Sequence, residues 1–296
     1  MLRINELLEQ RVPAGPLGIA RIVLGLAAVL KGVVTAASVN AYQNENVLRF
    51  PYTSLELSTP AGTVATAISL FWIIFALFFM VGFGSRVSGA FLSVMIFLVI
   101  GIDQQFYSNH LYLMGTLVAL MTIADAGRSY SIDARRSGAN EPATVPRWAA
   151  TLIMLQLTSV YLFAALTKVN EGFLSGAVME SAFEPSMLER VERLMPLTAL
   201  APLAVTTELF LAFAFWHQRT RFMALPVALG FHALNVVIMG RGGAFNLSIF
   251  ALVMLSMMLV FFTRESATVQ SVQKDERPAG GAGRPTELVM QHGESG

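Results

Sequence analysis

Six ionisable side chains interrupt the long apolar stretches of this sequence, and they are the residues best suited to chemistry. They are Arg21, Lys31, His110, Lys168, Glu208 and His232. A charged group at the centre of a membrane costs about 3 kcal/mol even on the mildest scale, so each needs a partner or a function. A lysine that has lost its proton is a base, and a carboxyl or an imidazole can exchange protons with it. Each of the six residues is therefore a hypothesis for a functional site at membrane depth.

The composition identifies a membrane protein. Of 296 residues, 55% are hydrophobic and only 13% are charged, and the mean hydropathy is +0.61, whereas about a quarter of the residues in a soluble domain are charged. A net charge of +1 supplies no basic field for nucleic acid. The absence of cysteine excludes disulfides, iron–sulfur clusters, thiolate zinc sites and cysteine nucleophiles, and four histidines are too few for a histidine-rich metal site. We expect neither a metal site nor a nucleic-acid partner.

Eight apolar runs predict an all-α, polytopic transmembrane helical bundle. The expected spans are 17–38, 63–81, 87–102, 111–124, 148–167, 203–216, 222–239 and 244–262. The third and fourth runs are short, and the sixth follows Pro196 and Pro202 and contains Glu208. We therefore divide the chain into a cytoplasmic N-terminal segment (1–16), a transmembrane domain (17–263) and a disordered cytoplasmic tail (264–296) with a Gly- and Pro-rich stretch.

The distribution of basic residues predicts that both termini face the cytoplasm. Ten arginines then fall on the inner side, namely Arg3, Arg11, Arg86, Arg128, Arg135, Arg136, Arg147, Arg219, Arg221 and Arg264. Five basic residues fall on the outer side, namely Arg49, Lys168, Arg190, Arg193 and Arg241. The bias predicts a multi-pass protein of a plasma or inner membrane, in contact with membrane lipids.

This orientation places four of the ionisable residues in the outer half of the membrane. His110 and Lys168 lie at outer helix ends. With a rise of about 1.5 Å per residue, Glu208 lies about 8 Å and His232 about 10 Å below the outer edge. Arg21 is at the inner end, where we expect it to extend to the cytoplasmic headgroups.

Each residue also has a structural interpretation. A lysine just past a span often flanks the interface, but this chain uses three lysines and seventeen arginines, which favours a lysine where a neutral amine is needed. Lys31 lacks a polar neighbourhood in the sequence and is interpreted as structural. His232, with Asn235 on the same helical face, can bond a neighbouring helix, and Glu208 can belong to a structural ion pair.

Three motifs resemble the membrane portion of vitamin K-dependent gamma-glutamyl carboxylase and, with it, the HTTM (horizontally transferred transmembrane) domain superfamily. The first is the run Ser108-Asn109-His110-Leu111-Tyr112-Leu113-Met114-Gly115, followed by Asp125-Ala126 and Ser131-Ile132-Asp133. The second comprises Gln156, Val160-Tyr161, Ala164, Lys168, Gly176 and Met179. The third is Phe231-His232 with Asn235, and Glu208 precedes it at the separation of an acidic residue in that enzyme. The resemblance covers about residues 15–262.

The resemblance implies an outward-facing site inside the membrane. It implies catalytic roles for Lys168 as the base and for His110 and His232, with Asn109, Tyr112, Tyr161, Glu208, Asn235 and Arg241 binding a quinone or supporting the site. The implied cofactors are a reduced naphthoquinone of the vitamin K or menaquinol type, O2 and CO2, and the implied partner is a lipid quinone. Thr167 departs from the family pattern, which has a first lysine there.

Two functions remain open. The first is a quinol- and oxygen-dependent carboxylase or epoxidase that acts on an external peptide or small molecule. The second is a non-catalytic membrane module for peptide maturation, immunity or small-molecule binding. A transporter is disfavoured, since the sequence shows no inverted repeat or paired broken helices.

Overall fold

The computed structural model describes residues 10–43, 46–52, 62–138 and 143–263. In chain order its strands and α-helices are β1 (Arg11–Pro13), α1 (Gly15–Ala41), α2 (Gly62–Val81), α3 (Ser85–Ile102), α4 (Asn109–Ile123), α5 (Ile132–Ser137), β2 (Thr144–Pro146), α6 (Arg147–Thr167), α7 (Glu171–Leu174), α8 (Ala177–Ala182), α9 (Pro185–Leu194), α10 (Leu197–Ala214), α11 (Gln218–Ile238) and α12 (Gly240–Met258). Short 3-10 helices span Gln104–Phe106, Ala126–Arg128 and Leu259–Phe262.

The protein is an all-α membrane bundle, as the sequence predicts. Across the described residues, seven helices are long and apolar enough to cross a membrane, and each coincides with one predicted span. The remaining predicted span corresponds to α4, which has only 15 residues and is about 22 Å long. A helix of that length is shorter than the hydrocarbon layer of about 30 Å. The orientation of the termini stays a prediction.

The predicted start of the sixth span, at residue 203, is wrong. Pro196 is the N-cap of α10, which begins at Leu197, and Pro202 lies inside the helix. Proline at this position removes one backbone hydrogen bond without ending the helix. Glu208 is therefore eleven residues, about 16 Å, from the start of its helix.

The helices alternate in direction and so define two ends of the bundle. Arg21, near the start of α1, contacts the carbonyl groups at the end of α2. Tyr42, just past the end of α1, donates a hydrogen bond from its hydroxyl to Asp103, just past the end of α3, at 2.5 Å. We call these the Arg21 end and the Lys168 end, since Lys168 directly follows α6 at the same end as Tyr42.

Glycines bring α1 and α2 unusually close together. A Cβ atom at Gly25 would lie 2.6 Å from the Cα of Met80, and one at Gly32 would lie 2.7 Å from the ring of Trp72. The Trp72 indole donates a hydrogen bond to the carbonyl of Ala28 at 2.9 Å. Small residues at helix contacts are a common way to pack helices in lipid, where no hydrophobic effect drives helices together.

Arg21 does not extend to the headgroups, so that prediction is wrong. Its side chain is fully buried, and its guanidinium donates to the carbonyl oxygens of Phe79 at 2.6 Å, Met80 at 2.9 Å and Tyr130 at 2.7 Å. The last carbonyl groups of a helix lack partners within it. The guanidinium of Arg21 donates to the carbonyl groups at the end of α2 and links them to the loop after α4.

Asp133 closes the Arg21 end by binding the start of α3. Its carboxylate accepts from the backbone amides of Gly84 at 2.9 Å and Ser85 at 2.7 Å, and from the Ser85 hydroxyl at 2.9 Å. Partial burial alone would raise the pKa of Asp133, but these hydrogen bonds together with nearby Arg136 hold it below its usual value. Strands β1 and β2 pair antiparallel at this end and join the starts of α1 and α6.

Candidate functional site

Lys168, directly after α6, and Glu208, within the apolar helix α10, form an ion pair. The Lys168 Nζ lies 2.7 Å from Oε1 and 2.8 Å from Oε2 of Glu208, and 3.2 Å from the carbonyl oxygen of Ala164. The Glu208 side chain is only 6% exposed and that of Lys168 is 28% exposed. Lys168 continues the helical backbone past α6, so its side chain folds back by one turn to reach α10. The lysine therefore does not extend into bulk solvent.

A second polar pair lies on the same face of α6. Tyr161 precedes Lys168 by seven residues, which is two helical turns or about 10 Å along the axis. Its hydroxyl lies 2.8 Å from Nε2 of His232 on α11, and both side chains are 4% exposed. The ring nitrogen either accepts from or donates to the hydroxyl, depending on the tautomer. Three helices, α6, α10 and α11, thus present an amine, a carboxyl, a phenol and an imidazole within a few turns.

His110 joins this group through an aromatic ring. Its imidazole stacks on Phe250 of α12 with ring centroids 4.2 Å apart, and the ring of Phe250 also makes a T-shaped contact with His232, with centroids 5.8 Å apart. The two imidazoles therefore contact the same phenylalanine ring. His110 also lines a narrow cavity of about 10 Å³, with room for about one water molecule, together with Lys31 and Asn246.

Three other predicted site residues, Asn109, Tyr112 and Asn235, are not part of this group. Asn109 accepts from the exposed Tyr107 hydroxyl at 3.0 Å, and Tyr112 is 50% exposed and packs edge-on against Phe97. Asn235 donates to the carbonyl of Phe231 at 2.8 Å, within its own helix. The side chain of Arg241 lies outside the described part of the structure.

Residues 170–195, which we call the cap segment, cover the Lys168 end of α10. Its helices α7, α8 and α9 bury Met179 against Leu197 and Ala201 of α10. The Phe173 ring lies 5.7 Å from the Lys168 Nζ, in the range of a cation–π contact. The cap segment therefore shields one side of the ion pair from water.

The sequence interpretation missed the partner of Lys31. The Lys31 Nζ donates to Oδ1 of Asn246, on α12, at 2.8 Å. Asn246 carries no charge and lies outside the three motifs, although an amide inside an apolar run is also a signal of a polar contact. Asp103, fully buried where α3 ends, was missed too; it binds Tyr42 and the backbone amides of Phe50 and Gln105, which fixes the loops at this end.

Comparison with known families settles the classification. The profile of the HTTM domain family matches residues 10–265, which is most of the chain. The chain belongs to the HTTM domain family. No solved structure matches it. The resemblance read from the sequence motifs is thus confirmed at the level of the family, and the protein is a multi-pass membrane protein.

Several of the HTTM motif residues have structural roles here. Gly176 has a φ of +87°, and a Cβ atom there would lie 2.6 Å from that of Leu197, so glycine is needed to bring the cap segment onto α10. Met179 is buried in the same contact. Asp125 pairs with Arg86 and Arg128 at the Arg21 end. Among the motif residues, Lys168, Tyr161, His232 and His110 are the ones that bring reactive groups together.

Proposed function

We propose that this HTTM protein is a membrane enzyme of the carboxylase or epoxidase type, whose chemistry begins with proton transfer at the Lys168–Glu208 pair. The observation that supports it is the placement of Lys168 Nζ within 2.8 Å of both Glu208 oxygens, with the Tyr161–His232 pair two turns away on the same face. Charged and titratable groups at membrane depth are costly, and in membrane proteins they mark functional sites by default.

The pair is able to produce a base without a net change of charge. Transfer of one proton from Nζ to a Glu208 oxygen gives a neutral amine and a carboxylic acid. The amine then accepts a proton from the substrate, which leaves a substrate anion beside a regenerated ammonium group. The Tyr161 hydroxyl or the His232 N–H supplies a hydrogen-bond donor to that anion.

In this conformation the Lys168 ammonium is not free to take a proton from a reduced naphthoquinone. The three N–H groups of the ammonium are all occupied, by the two Glu208 oxygens and the carbonyl of Ala164, and the amine has no lone pair to offer. Lys168 is not among the residues that line the narrow cavity beside His110 or the larger cavity between α1 and the segment that joins α3 to α4. The proposal therefore rests on the acid–base pair. The use of a quinone, O2 and CO2 is implied by the resemblance alone.

The test is turnover by purified protein in lipid, with reduced menaquinone and O2 as probe substrates and epoxide as the product measured. Wild type is expected to form epoxide. Lys168→Arg keeps the charge but cannot supply a neutral amine, and is expected to be inactive at unchanged folded yield. Full activity in Lys168→Arg would remove the base assignment. Arg21→Lys, at the opposite end, serves as the control for loss of activity by destabilisation.

A non-catalytic HTTM module is the second candidate, and the closed geometry of the ion pair favours it. A lysine whose three donors are all satisfied is also what a structural pair requires. This reading predicts no epoxide from wild type, and equal biological activity of wild type and Lys168→Ala in cells.

We also propose that the Lys168 end faces the outside of a plasma or inner membrane. The natural absence of cysteine allows a direct test with single introduced thiols. Ser175→Cys is expected to react with a membrane-impermeant maleimide in intact cells, and Ser137→Cys only after permeabilisation. The reverse pattern would invert the orientation.

A further inference from the structure

A cavity of about 400 Å³ lies at the Lys168 end, between α1 and the segment that joins α3 to α4. Lys31, Thr35 and Ser38 line it from one face of α1, since they are four and three residues apart. Tyr107 lines it from the joining segment, and Phe106 and Leu111 contribute apolar surface. The volume is in the range of small-molecule sites, and the lining combines one cation, several hydroxyl groups and an apolar wall.

Of the three cations inside the described part of the bundle, Lys31 has the fewest hydrogen-bond partners. Arg21 is bound by carbonyl groups and Lys168 by Glu208. Within the described part of the chain, the only partner of Lys31 is Oδ1 of Asn246, so two of its three N–H groups are free to bind something else. Lys31 is ten residues, about 15 Å, from the end of α1. A cation at that depth is costly without a counter-charge.

Thr35 offers a second polar group to the same cavity. Its side chain is 7% exposed, and its hydroxyl forms no hydrogen bond with any described residue. A threonine within a helix commonly bonds the carbonyl four residues earlier, as Ser38 does with Val34 at 3.2 Å. The Thr35 hydroxyl is one turn beyond Lys31 and is therefore available to a ligand.

We propose that this cavity binds the anionic head of an amphiphilic molecule, a carboxylate or a phosphate, whose apolar part lies against Phe106 and Leu111. The Lys31 ammonium supplies the counter-charge, and the Thr35 hydroxyl donates a further hydrogen bond. Charge-assisted hydrogen bonds of this kind are about twice as strong as neutral ones. The proposal does not depend on the proposed function, because binding is expected whether or not Lys168 is catalytic.

The test uses full-length protein in nanodiscs of phosphatidylcholine alone, with octanoate, octyl phosphate and octanol as soluble probes and binding measured by calorimetry. The anionic probes are expected to bind and octanol to bind at least about tenfold more weakly. Lys31→Met is expected to weaken octanoate binding by about tenfold or more, Lys31→Arg to retain binding, and Thr35→Val to weaken it by a few-fold. Equal binding of octanoate and octanol, or unchanged binding in Lys31→Met, would overturn the proposal.

Controls separate this site from the Lys168 pair and distinguish the sources of the anion. Lys168→Met makes the same substitution at the other lysine in the bundle, and octanoate is expected to bind it as it binds wild type. If the natural occupant is a lipid headgroup, nanodiscs containing phosphatidylglycerol will compete with octanoate; if it is a soluble anion, they will not. Should Lys31→Met fold poorly, Thr35→Val decides the matter, because unchanged octanoate binding in that variant contradicts the site.

Discussion

The Lys168–Glu208 pair predicts a strong coupling between two substitutions. At 2.7 Å, two unit charges attract by about 6 kcal/mol at an effective dielectric constant of about 20, and the desolvation of both groups offsets part of this. Removing one partner of a buried pair costs about 3–5 kcal/mol. Because the Lys168 side chain retains 28% exposure, we expect about 2–3 kcal/mol for each single variant, Lys168→Met and Glu208→Leu.

The double variant separates the pair from its surroundings. Lys168→Met/Glu208→Leu leaves no buried charge without a partner, so its free energy of unfolding is expected within about 1 kcal/mol of wild type. Equilibrium unfolding in mixed micelles, followed by tryptophan fluorescence, measures all four proteins. Single effects that simply add in the double variant would show that the two side chains do not interact, and would refute the geometry of the site.

Three further predictions concern the Arg21 end and the helix contacts. Arg21→Met leaves the carbonyl groups of α2 without a donor and is expected to lower the free energy of unfolding by about 3 kcal/mol, measured in the same micelles. Gly25→Ala, whose new Cβ meets the backbone of α2, is expected to cost about 1–3 kcal/mol, whereas Gly62→Ala, where the space is open, is expected to change stability by less than about 0.5 kcal/mol. Because the pKa of Asp133 is lowered on folding, its stabilisation is complete above the ordinary carboxylate pKa and is lost as pH falls through the lower folded value. Thermal unfolding measured from pH 7 to pH 3 is expected to show this loss in wild type and a smaller one in Asp133→Asn.

Hydropathy predicts the fold well because the membrane imposes a simple rule on the chain. Each span must be an apolar helix with its own hydrogen bonds satisfied, so the eight runs coincide with eight helices. The rule does not say where a helix begins or ends. Pro202 favours a helix boundary in the sequence, but it lies inside α10.

The candidate site was only partly predictable. Lys168, Glu208 and His232 stand out because an ionisable group is rare in apolar sequence, and the structure brings Lys168 to Glu208 and His232 to Tyr161. Asn109 and Asn235 belong to the same motifs as His110 and His232, but each forms a hydrogen bond with a residue close to it in the sequence. Spacing along the chain does not reveal this.

Partner choice between distant helices was the least predictable feature. Lys31 meets Asn246 across more than two hundred residues, and Arg21 meets the end of α2 rather than the headgroups. Which helix faces meet depends on the packing of the whole bundle, and no local pattern encodes it. Arg21 is buried because the last carbonyl groups of α2 need hydrogen-bond donors. This need becomes apparent only when the positions of the helices are known.

The most direct test of the central claim is nitrogen NMR of the lysine side chains, since the chain has only three lysines. Protein labelled with ¹⁵N-lysine in lipid is expected to show the Lys168 Nζ resonance well separated from that of Lys274, assigned by Lys→Arg variants, and Glu208→Gln is expected to shift the Lys168 resonance alone. A Lys168 resonance that coincides with the Lys274 resonance in wild type and does not move in Glu208→Gln would contradict the account.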